Sequence, residues 1–283
     1  MKYKIGIIGG GFVGGAVAHG FSEMSPLLYD KNPDISKNSL HEVLLQDYVF
    51  ICVPTPMNSS KGGRCNTSII DNCLQQISDI GSDAVLIIKS TVPVGFTEAR
   101  SKKFKNLKIV HSPEFLTARN AEYDFNNPDR NILGHSGDES GVERVRDLMV
   151  FRFPSVPCLI IKSSESELLK YISNCFLAVK VSFFNEMFDF SESVGADWSA
   201  VLQGLLLDPR IGASHCFIPG PDGDRGFGGT CFPKDINSMI FQLESAGVDP
   251  SLIKAAWKKN LMVRRDFDWE SNMSAVNNEQ IKE

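Results

Sequence analysis

The sequence predicts an α/β fold, with a parallel sheet in its first part and only helices in its second part. Short apolar runs alternate with helix-like stretches up to about residue 162, a pattern typical of buried parallel strands joined by crossover helices. Beyond that point apolar residues recur every three or four positions, which indicates helix. The 283 residues suffice for two domains, and we expect them at residues 1–163 and 164–283.

Seven strands are expected in the first domain, because each apolar run is short and most are followed by a helix-like stretch. They lie at Lys4–Ile8, Leu27–Tyr29, Val49–Val53, Ala84–Ile88 and Lys108–His111, around Leu133, and at Val156–Ile161. Runs that are apolar at successive positions fit strands covered by helices on both faces. The predicted architecture is therefore a doubly wound parallel sheet.

The second domain begins with a long connecting helix, predicted at Glu165–Gly195. Its apolar side chains form a seam at positions 168, 172, 176, 179, 183, 187, 190 and 194. Lys170 and Asn174 lie four residues apart on the opposite face, which is also apolar further along and is expected to be covered. Because the helix is apolar on two faces, we expect a homodimer. Further helix is predicted after Asp235, with an interruption near residues 247–250.

Composition argues against several classes of protein. Acidic residues outnumber basic ones, 34 to 29, so a nucleic-acid partner bound through phosphate neutralisation is not expected. No apolar run approaches the length of a membrane span. The seven cysteines are odd in number and contain no Cys-x-x-Cys pair, which fits neither a disulfide framework nor a zinc site. We therefore expect a cytoplasmic protein that binds a small molecule and no metal.

A glycine motif follows the first strand and precedes a helix-like stretch. Gly9, Gly11 and Gly14 form G-x-G-x-x-G, in which the first glycine permits a tight turn and the second lets the backbone approach a pyrophosphate. The third lets helix and strand pack closely. Asp30 ends the second strand, where a carboxylate binds ribose hydroxyls and repels a 2′-phosphate. These features predict a Rossmann-type domain that binds NAD in preference to NADP.

Three further motifs stand at the ends of predicted strands, where ligands of doubly wound folds bind. They are Val53-Pro54-Thr55-Pro56, Ser90-Thr91-Val92-Pro93-Val94-Gly95 and Pro113-Glu114-Phe115-Leu116. The segment Gly226–Asp235 is the most specific of these motifs. Its glycines allow the chain to bring Cys231 close to a ligand. Together with Asp129-Arg130 and Arg210-Ile211-Gly212, these motifs resemble the UDP-glucose/GDP-mannose dehydrogenase family over about residues 4–262.

The resemblance implies an NAD-dependent oxidoreductase that converts the primary alcohol of a nucleotide sugar into a carboxylate for polysaccharide biosynthesis. UDP-glucose to UDP-glucuronate is the expected reaction, and two NAD accept the four electrons. The second oxidation requires the aldehyde to be presented as an adduct, and a cysteine forms a thiohemiacetal that is oxidised to a thioester. Cys231 is the expected nucleophile, and Lys234 is expected to favour its thiolate.

The resemblance also implies roles for other residues. Lys170 is expected to stabilise an oxyanion and Asn174 to hold the reacting hydroxyl. Thr91, Glu114 and Asp235 are expected to position water and handle protons. The expected cofactor contacts are Gly9, Gly11, Phe12, Val13, Gly14, Asp30, Val53, Pro54, Thr55, Ser90, Thr91 and Lys234. The expected substrate contacts are Leu116, Lys170, Asn174, Arg210, Phe217 and Gly228.

Two departures from the family pattern bear on substrate binding. Ala118 stands where the family usually has a glutamate, so a polar contact is lost or replaced. From the length we expect no further nucleotide-binding domain of the kind that the family has, and therefore weak substrate binding, with loop 213–225 as a partial substitute. Two alternatives stay open. One is a two-domain β-hydroxyacid dehydrogenase, which needs no cysteine nucleophile, and the other is a weakly active remnant that needs a partner chain.

Overall fold

The computed structural model describes residues 3–59, 63–137 and 139–276. The chain divides into two compact units. The first unit consists of residues 1–55 and 66–170, and the second of residues 56–65 and 171–283. The first turns of the long helix thus belong to the first unit, and the short segment 56–65 belongs to the second. A domain boundary after residue 163 stays a prediction.

A seven-stranded sheet forms the centre of the first unit. Its strands are β1 (Ile5–Ile8), β2 (Leu27–Tyr29), β3 (Tyr48–Ile51), β4 (Val85–Ile88), β5 (Lys108–His111), β6 (Asn131–His135) and β7 (Cys158–Lys162). They lie in the order β2-β1-β3-β4-β5-β6-β7, and the first five strands run parallel. The expected strands coincide with these to within a residue or two.

Helices cover both faces of this sheet. On one face the core includes side chains of α1 (Phe12–Gly20), α5 (Ala121–Asn126) and α6 (Glu139–Arg152). On the other face it includes side chains of α2 (Leu40–Leu44), α3 (Ser68–Ile80) and α4 (Phe96–Lys103). Alternate residues of β3 pack into the two cores: Tyr48 and Phe50 belong to the first core, and Val49 and Ile51 belong to the second. This arrangement confirms the doubly wound α/β fold.

Two strands, β6 and β7, run against the prediction of an all-parallel sheet. β6 is antiparallel to β5, and β7 is parallel to β6. The connection between β5 and β6 contains only short α5 and a 3₁₀ turn at Ala118–Asn120, so the chain re-enters the sheet from the edge at which β5 ended. The longer α6 then crosses from β6 to β7 and restores a parallel pair. An isolated apolar run does not encode its own direction.

The second unit is helical. It contains most of α7 (Ser163–Ser193), together with α8 (Trp198–Leu206), α9 (Phe232–Ser245) and α10 (Ser251–Val263). One core joins Cys175 and Ala178 of α7 to Ile236 of α9 and Ala256 of α10. The expected all-α second part, with a long helix at its beginning, is confirmed.

The face of α7 that carries Lys170 and Asn174 is buried, as expected, whereas its apolar seam is exposed. Five seam residues are between 55% and 66% exposed: Ile172, Phe176, Phe183, Phe190 and Val194. The buried face carries polar side chains that have partners. Tyr171 Oη lies 2.9 Å from Ser238 Oγ, and Ser182 Oγ donates to the Ala256 carbonyl at 2.8 Å. The periodicity therefore identifies the helix, but bonded polar groups decide which face is buried.

Three observations concern other classes of site. Within the described part of the chain, no helix is long and apolar enough to cross a lipid bilayer. Across residues 3–59, 63–137 and 139–276, the His, Cys, Asp and Glu side chains form no group of three or more that could hold a metal ion. All seven cysteines lie in these ranges, and no disulfide joins any of them.

Candidate active site

The glycine motif forms the turn between β1 and α1. Gly9 has a φ of +96°, a backbone conformation that residues with a side chain rarely adopt. A Cβ at Gly14 would lie 1.8 Å from the Gly9 carbonyl oxygen, so turn and helix pack this closely only because residue 14 lacks a side chain. A Cβ at Gly11 would meet none of the described atoms within 4 Å. The turn is therefore tightly packed at Gly9 and Gly14 and open at Gly11, the N-cap of α1.

Asp30 lies directly after β2 and beside this turn. Its Oδ2 accepts a hydrogen bond from the Gly10 N–H at 2.7 Å, and its Oδ1 accepts one from the Asn32 N–H at 2.8 Å. Among the described side chains, none caps the N-terminus of α1, so the positive end of that helix is available to an anion. An open glycine turn, a helix N-terminus and a fixed carboxylate fit the pyrophosphate and ribose of a dinucleotide. Phe12 and Val13, two of the predicted cofactor contacts, form the first turn of α1.

The ends of β3 and β4 are tied together beside the glycine turn. Ser90 Oγ donates to the Val53 carbonyl at 2.6 Å, and Thr55 Oγ1 donates to the Thr91 carbonyl at 2.6 Å. Pro54 lies between the bonded residues and is exposed. Side-chain hydroxyls thus fix the two segments after β3 and β4 to each other. These two segments contain five of the predicted cofactor contacts, which therefore lie close together: Val53, Pro54, Thr55, Ser90 and Thr91.

A buried ion pair lies at the end of β5. Lys170 Nζ donates to Glu114 Oε1 at 2.8 Å, and the Leu116 N–H donates to Glu114 Oε2 at 2.6 Å. The Lys170 and Glu114 residues are 2% and 6% exposed. Lys170 Nζ also lies 5.5 Å from the centre of the Phe115 ring. The Pro-Glu-Phe-Leu motif therefore presents a carboxylate to a lysine from the first turns of α7, and a buried pair of this kind can exchange protons.

The second unit contains another buried polar network. Asn174 Nδ2 donates to Asp235 Oδ2 at 2.6 Å, and Lys234 Nζ donates to Asp235 Oδ1. Asp235 is completely buried. Burial alone would lower the pKa of Lys234, but the neighbouring Asp235 carboxylate raises that pKa above its usual value. Lys234 therefore remains a cation, and the Asp235 carboxylate has partners on both oxygens.

Cys231 is the N-cap of α9, directly before its first residue, Phe232. The half-buried Cys231 side chain has its Sγ 3.8 Å from Thr230 Oγ1. A helix N-terminus and a nearby lysine both favour a thiolate, and Lys234 lies three residues further along the same helix. Burial raises the pKa of the Cys52, Cys73 and Cys175 thiols to about 12. Their thiols stay protonated near neutral pH, as expected for small apolar side chains.

Asn260 of α10 and Arg264, which directly follows α10, contact the glycine segment before Cys231. The sequence analysis does not predict these contacts. Asn260 Oδ1 accepts from the Phe227 N–H at 2.6 Å, and Asn260 Nδ2 donates to the Phe227 carbonyl at 2.9 Å. Cβ atoms at Gly226 and Gly228 would lie 2.3 Å from Asn260 Oδ1 and 2.2 Å from Arg264 Nη2. The glycines therefore make room for these two side chains. The sequence signal that could have indicated these contacts is the spacing of Asn260 and Arg264, which lie four residues apart and therefore on one face of the predicted helix.

Two predicted substrate contacts, Arg210 and Phe217, are exposed, and their role in substrate binding stays a prediction. Arg210 is exposed and pairs with Asp208, with Nη2 and Oδ2 2.5 Å apart. Phe217 is 56% exposed. In loop 213–225, Arg225 Nη2 donates to Asp189 Oδ1 at 2.6 Å. The acids at 222 and 224 pair with Arg264 and with the backbone amides of residues 265 and 266. This loop therefore has supporting contacts inside its own unit, and a role for it in nucleotide binding stays a prediction.

Curated proteins resemble the chain over most of its length. UDP-glucose 6-dehydrogenase of Rickettsia prowazekii is 35% identical over 220 residues, which is 76% of this chain and 49% of the relative. A second UDP-glucose 6-dehydrogenase, from Rickettsia typhi, is 36% identical over 220 residues, with the same coverage. The chain thus spans about half the length of the curated relatives that it matches.

Solved structures share the fold. A UDP-glucose dehydrogenase from the hyperthermophilic archaeon Pyrobaculum islandicum superimposes with a TM-score of 0.79 at 29% identity, over 93% of this chain and 68% of that chain. The 3-hydroxyisobutyrate dehydrogenase of Mycobacterium tuberculosis gives a TM-score of 0.69 at 17% identity, over 91% of this chain and 92% of that chain. At so low an identity the second comparison concerns the fold alone.

Two family models match in chain order. Residues 28–150 match the NAD binding domain of the UDP-glucose/GDP-mannose dehydrogenase family, and residues 164–261 match its central domain. The expected cofactor, NAD, is thereby confirmed, in agreement with the open glycine turn and with Asp30. With both domains matched and the motifs in order, the chain belongs to the UDP-glucose/GDP-mannose dehydrogenase family.

Proposed function

We propose that this chain carries out the NAD-dependent, four-electron oxidation of a nucleotide sugar, with UDP-glucose as substrate and UDP-glucuronate as product. The observation that carries the proposal is the position of Cys231 at the N-terminus of α9, on the same helix as the buried Lys234–Asp235 pair. Its relatives named UDP-glucose 6-dehydrogenase support the choice of sugar and nucleotide. The matched region is about half as long as the first of these relatives.

The first oxidation turns the alcohol into an aldehyde. When bound, NAD accepts the hydride from the alcohol carbon. The remaining hydroxyl proton needs an acceptor, and the buried Glu114–Lys170 pair supplies one. The Lys170 ammonium also stabilises negative charge on the substrate oxygen, as expected for a preorganised cation in a buried site. Asn174 holds the reacting hydroxyl.

The second oxidation uses the cysteine. The Cys231 thiolate adds to the aldehyde carbon, and the oxygen takes up a proton, which gives a thiohemiacetal. Loss of a second hydride and of the hydroxyl proton gives a thioester. Water then attacks the thioester carbon, the C–S bond breaks to release the Cys231 thiolate, and the two protons of the water leave as the carboxylate forms. Thr91, Glu114 and Asp235 are the groups proposed to position that water, and the two hydrides account for all four electrons.

A β-hydroxyacid dehydrogenase is the second candidate, because a 3-hydroxyisobutyrate dehydrogenase of nearly the same length has the same fold. That chemistry stops at a single two-electron step and does not require a cysteine. The matched central domain and the Cys231 segment favour the nucleotide-sugar reaction. A chain that needs a partner for full activity is compatible with the length of the relatives.

A homodimer is proposed from the exposed seam of α7. Its five apolar side chains, Ile172, Phe176, Phe183, Phe190 and Val194, lie on one helix face at intervals of four and seven residues. An exposed apolar stripe of this length is typical of a protein–protein interface. A second copy of the chain would cover it with the same surface. The cytoplasmic location stays a prediction.

An assay of NADH formation tests the proposal. The purified chain is mixed with NAD and, one at a time, with UDP-sugars, GDP-sugars and 3-hydroxyisobutyrate, and each product is identified by its mass. We expect NADH and a uronic acid from UDP-glucose. NADH from the hydroxy acid alone, or a product that stops at the aldehyde, would refute the four-electron assignment.

A further inference from the structure

Lys89 is a buried lysine that the proposed mechanism does not use. It follows β4 and is 5% exposed. Its Nζ donates to the Pro113 carbonyl at 3.1 Å and to Ser112 Oγ at 3.4 Å. These two residues directly precede Glu114, the carboxylate that accepts from Lys170. Lys89 therefore lies beside the backbone that presents the proposed proton acceptor.

Among the described residues, positive charges outnumber carboxylates around Lys89. Two buried lysines, Lys89 and Lys170, interact with one carboxylate, Glu114. Burial lowers the pKa of Lys89 to about 8, with the positive charge of Lys170 acting in the same direction and with Cys52 and Glu114 acting against it. His111 adds no charge, because burial and the Lys89 ammonium lower its pKa to about 3. Loss of one proton from Lys89 removes the surplus positive charge, so this lysine exchanges protons more easily than an exposed one.

A cavity connects this region with the surface of the same unit. It measures about 260 Å³, with Lys89 and Glu114 among its buried lining residues. Exposed lining residues include Thr117 and Asp129. Asn131, which also lines the cavity, is 6% exposed, and its Nδ2 has no hydrogen-bond partner among the described residues. A cavity of this size has room for several water molecules, and the buried Asn131 amide is a suitable donor to one of them.

We propose that Lys89 is the proton relay of this site, which receives the proton left by each oxidation from the Glu114–Lys170 pair and passes it to water in the cavity. The neutral Lys89 amine gains this proton and becomes an ammonium. A cavity water then takes the proton away, so each cycle leaves the lysine unchanged. The inference rests on the proposed function, because the alcohol oxidation by NAD is the source of the proton.

Chemical rescue provides the first test. Lys89→Ala removes the relay amine and leaves additional space at the inner end of the cavity. We expect kcat with UDP-glucose to fall roughly 100-fold, while KM for substrate and NAD changes less than about twofold. Added methylamine and other small primary amines should restore kcat in proportion to their basicity. Rescue that is absent, or that does not depend on amine pKa, would overturn the proposal.

Matched variants separate the relay from a structural role. Lys108→Ala removes a lysine from β5 whose amine lies at the surface, and it should leave both kcat and the response to amines unchanged. Lys89→Met keeps the length of the buried stem and serves if the alanine variant does not fold. Full activity of a folded Lys89→Met protein would contradict the relay.

A measurement without substrate distinguishes this inference from the proposed function. The Lys89 Cε signal, assigned by its loss in Lys89→Met, can be titrated by NMR in the wild-type protein. We expect a midpoint near pH 8 that moves to lower pH in Glu114→Gln, because the neutralised carboxylate no longer stabilises the ammonium. A normal lysine midpoint would refute the relay even in an active enzyme. An inactive enzyme with the shifted midpoint would instead refute the proposed reaction.

Discussion

His111 is a completely buried histidine at the end of β5, and its neutral form is part of the native structure. Its Nδ1 lies 2.9 Å from Ser166 Oγ. Burial and the nearby Lys89 ammonium lower its pKa to about 3, against an ordinary value of 6.5. Between these two values the unfolded chain binds a proton that the folded chain does not bind. The stabilisation is therefore present above pH 6.5 and is lost as the pH falls.

We expect acidification to destabilise the protein partly through His111. From pH 7 to pH 5.5 this residue should lower the free energy of unfolding by about 1 kcal/mol, because one added proton favours the unfolded chain. His111→Gln keeps a hydrogen-bonding side chain but has no group that titrates in this range. The free energy of unfolding of this variant should therefore fall by about 1 kcal/mol less than that of the wild-type protein between pH 7 and pH 5.5. Urea unfolding at both pH values measures the difference. Equal losses in the two proteins would show that His111 does not titrate as described.

The buried Asp235 should contribute far more to stability than an exposed acid. Asp235→Asn leaves the Lys234 ammonium in the interior without its carboxylate, a change that costs about 3–5 kcal/mol in the free energy of unfolding. Glu244→Gln removes the partner of Lys254 from an ion pair at the surface of the same unit, and should cost less than about 1 kcal/mol. Urea unfolding of the two variants compares them directly. Similar costs would mean that the buried network is not held as the structure indicates.

The sequence predicts some residues of the candidate site but not others. The family resemblance implies Glu114, Lys170, Asn174 and Asp235 as site residues. In the structure they form two hydrogen-bonded pairs, Lys170 with Glu114 and Asn174 with Asp235, and their roles stay predictions. The contacts that Asn260 and Arg264 make with the glycine segment were not predicted, since polar residues in a helix are ordinarily solvated. Their burial depends on a glycine segment about thirty-five positions earlier, a tertiary relation that no local pattern encodes.

At the scale of elements, the turn between β1 and α1 offers a matched pair of glycines. A Cβ at Gly14 would lie 1.8 Å from the Gly9 carbonyl oxygen, whereas one at Gly15 would contact no described atom within 4 Å. Both are helical residues of α1. The two positions therefore separate the steric role of a glycine from its effect on helix propensity.

Gly14→Ala should destabilise the protein and weaken NAD binding, because the turn must open to admit the methyl group. Gly15→Ala should leave stability unchanged or increase it by about 0.5–1 kcal/mol, since alanine is the better helix former. Thermal unfolding without cofactor and calorimetric titration with NAD measure the two effects. A Gly14→Ala protein as stable as Gly15→Ala would contradict the close packing of turn and helix.

The sequence predicts the position of elements better than their orientation. Strand and helix bounds follow from apolar runs and periodicity, because each is a local property. The direction of β6 depends on how the preceding connection returns to the sheet. The buried face of α7 depends on partners such as Ser238 and Ala256, which make burial of Tyr171 and Ser182 favourable. Orientation is therefore decided by distant residues.

At the scale of the whole molecule, the exposed seam of α7 predicts association. Light scattering of the wild-type chain at micromolar concentration should give the mass of a dimer. Phe176→Glu combined with Phe183→Glu should shift it to a monomer, because two charges would be buried in the interface. Leu252→Glu, at an exposed apolar position of α10, should remain dimeric. A wild-type monomer, or a dimer unaffected by the seam substitutions, would remove the proposed interface.

The central claim is that one chain performs two oxidations through Cys231, and the NADH released per sugar tests it most directly. With limiting UDP-glucose, the wild-type protein should yield two NADH and UDP-glucuronate. Cys175→Ala, which removes a buried thiol with a raised pKa from the same unit, should also yield two. Cys231→Ala should yield at most one NADH, with the aldehyde as product, because no thioester can form. Two NADH and the uronic acid from Cys231→Ala would contradict the covalent mechanism.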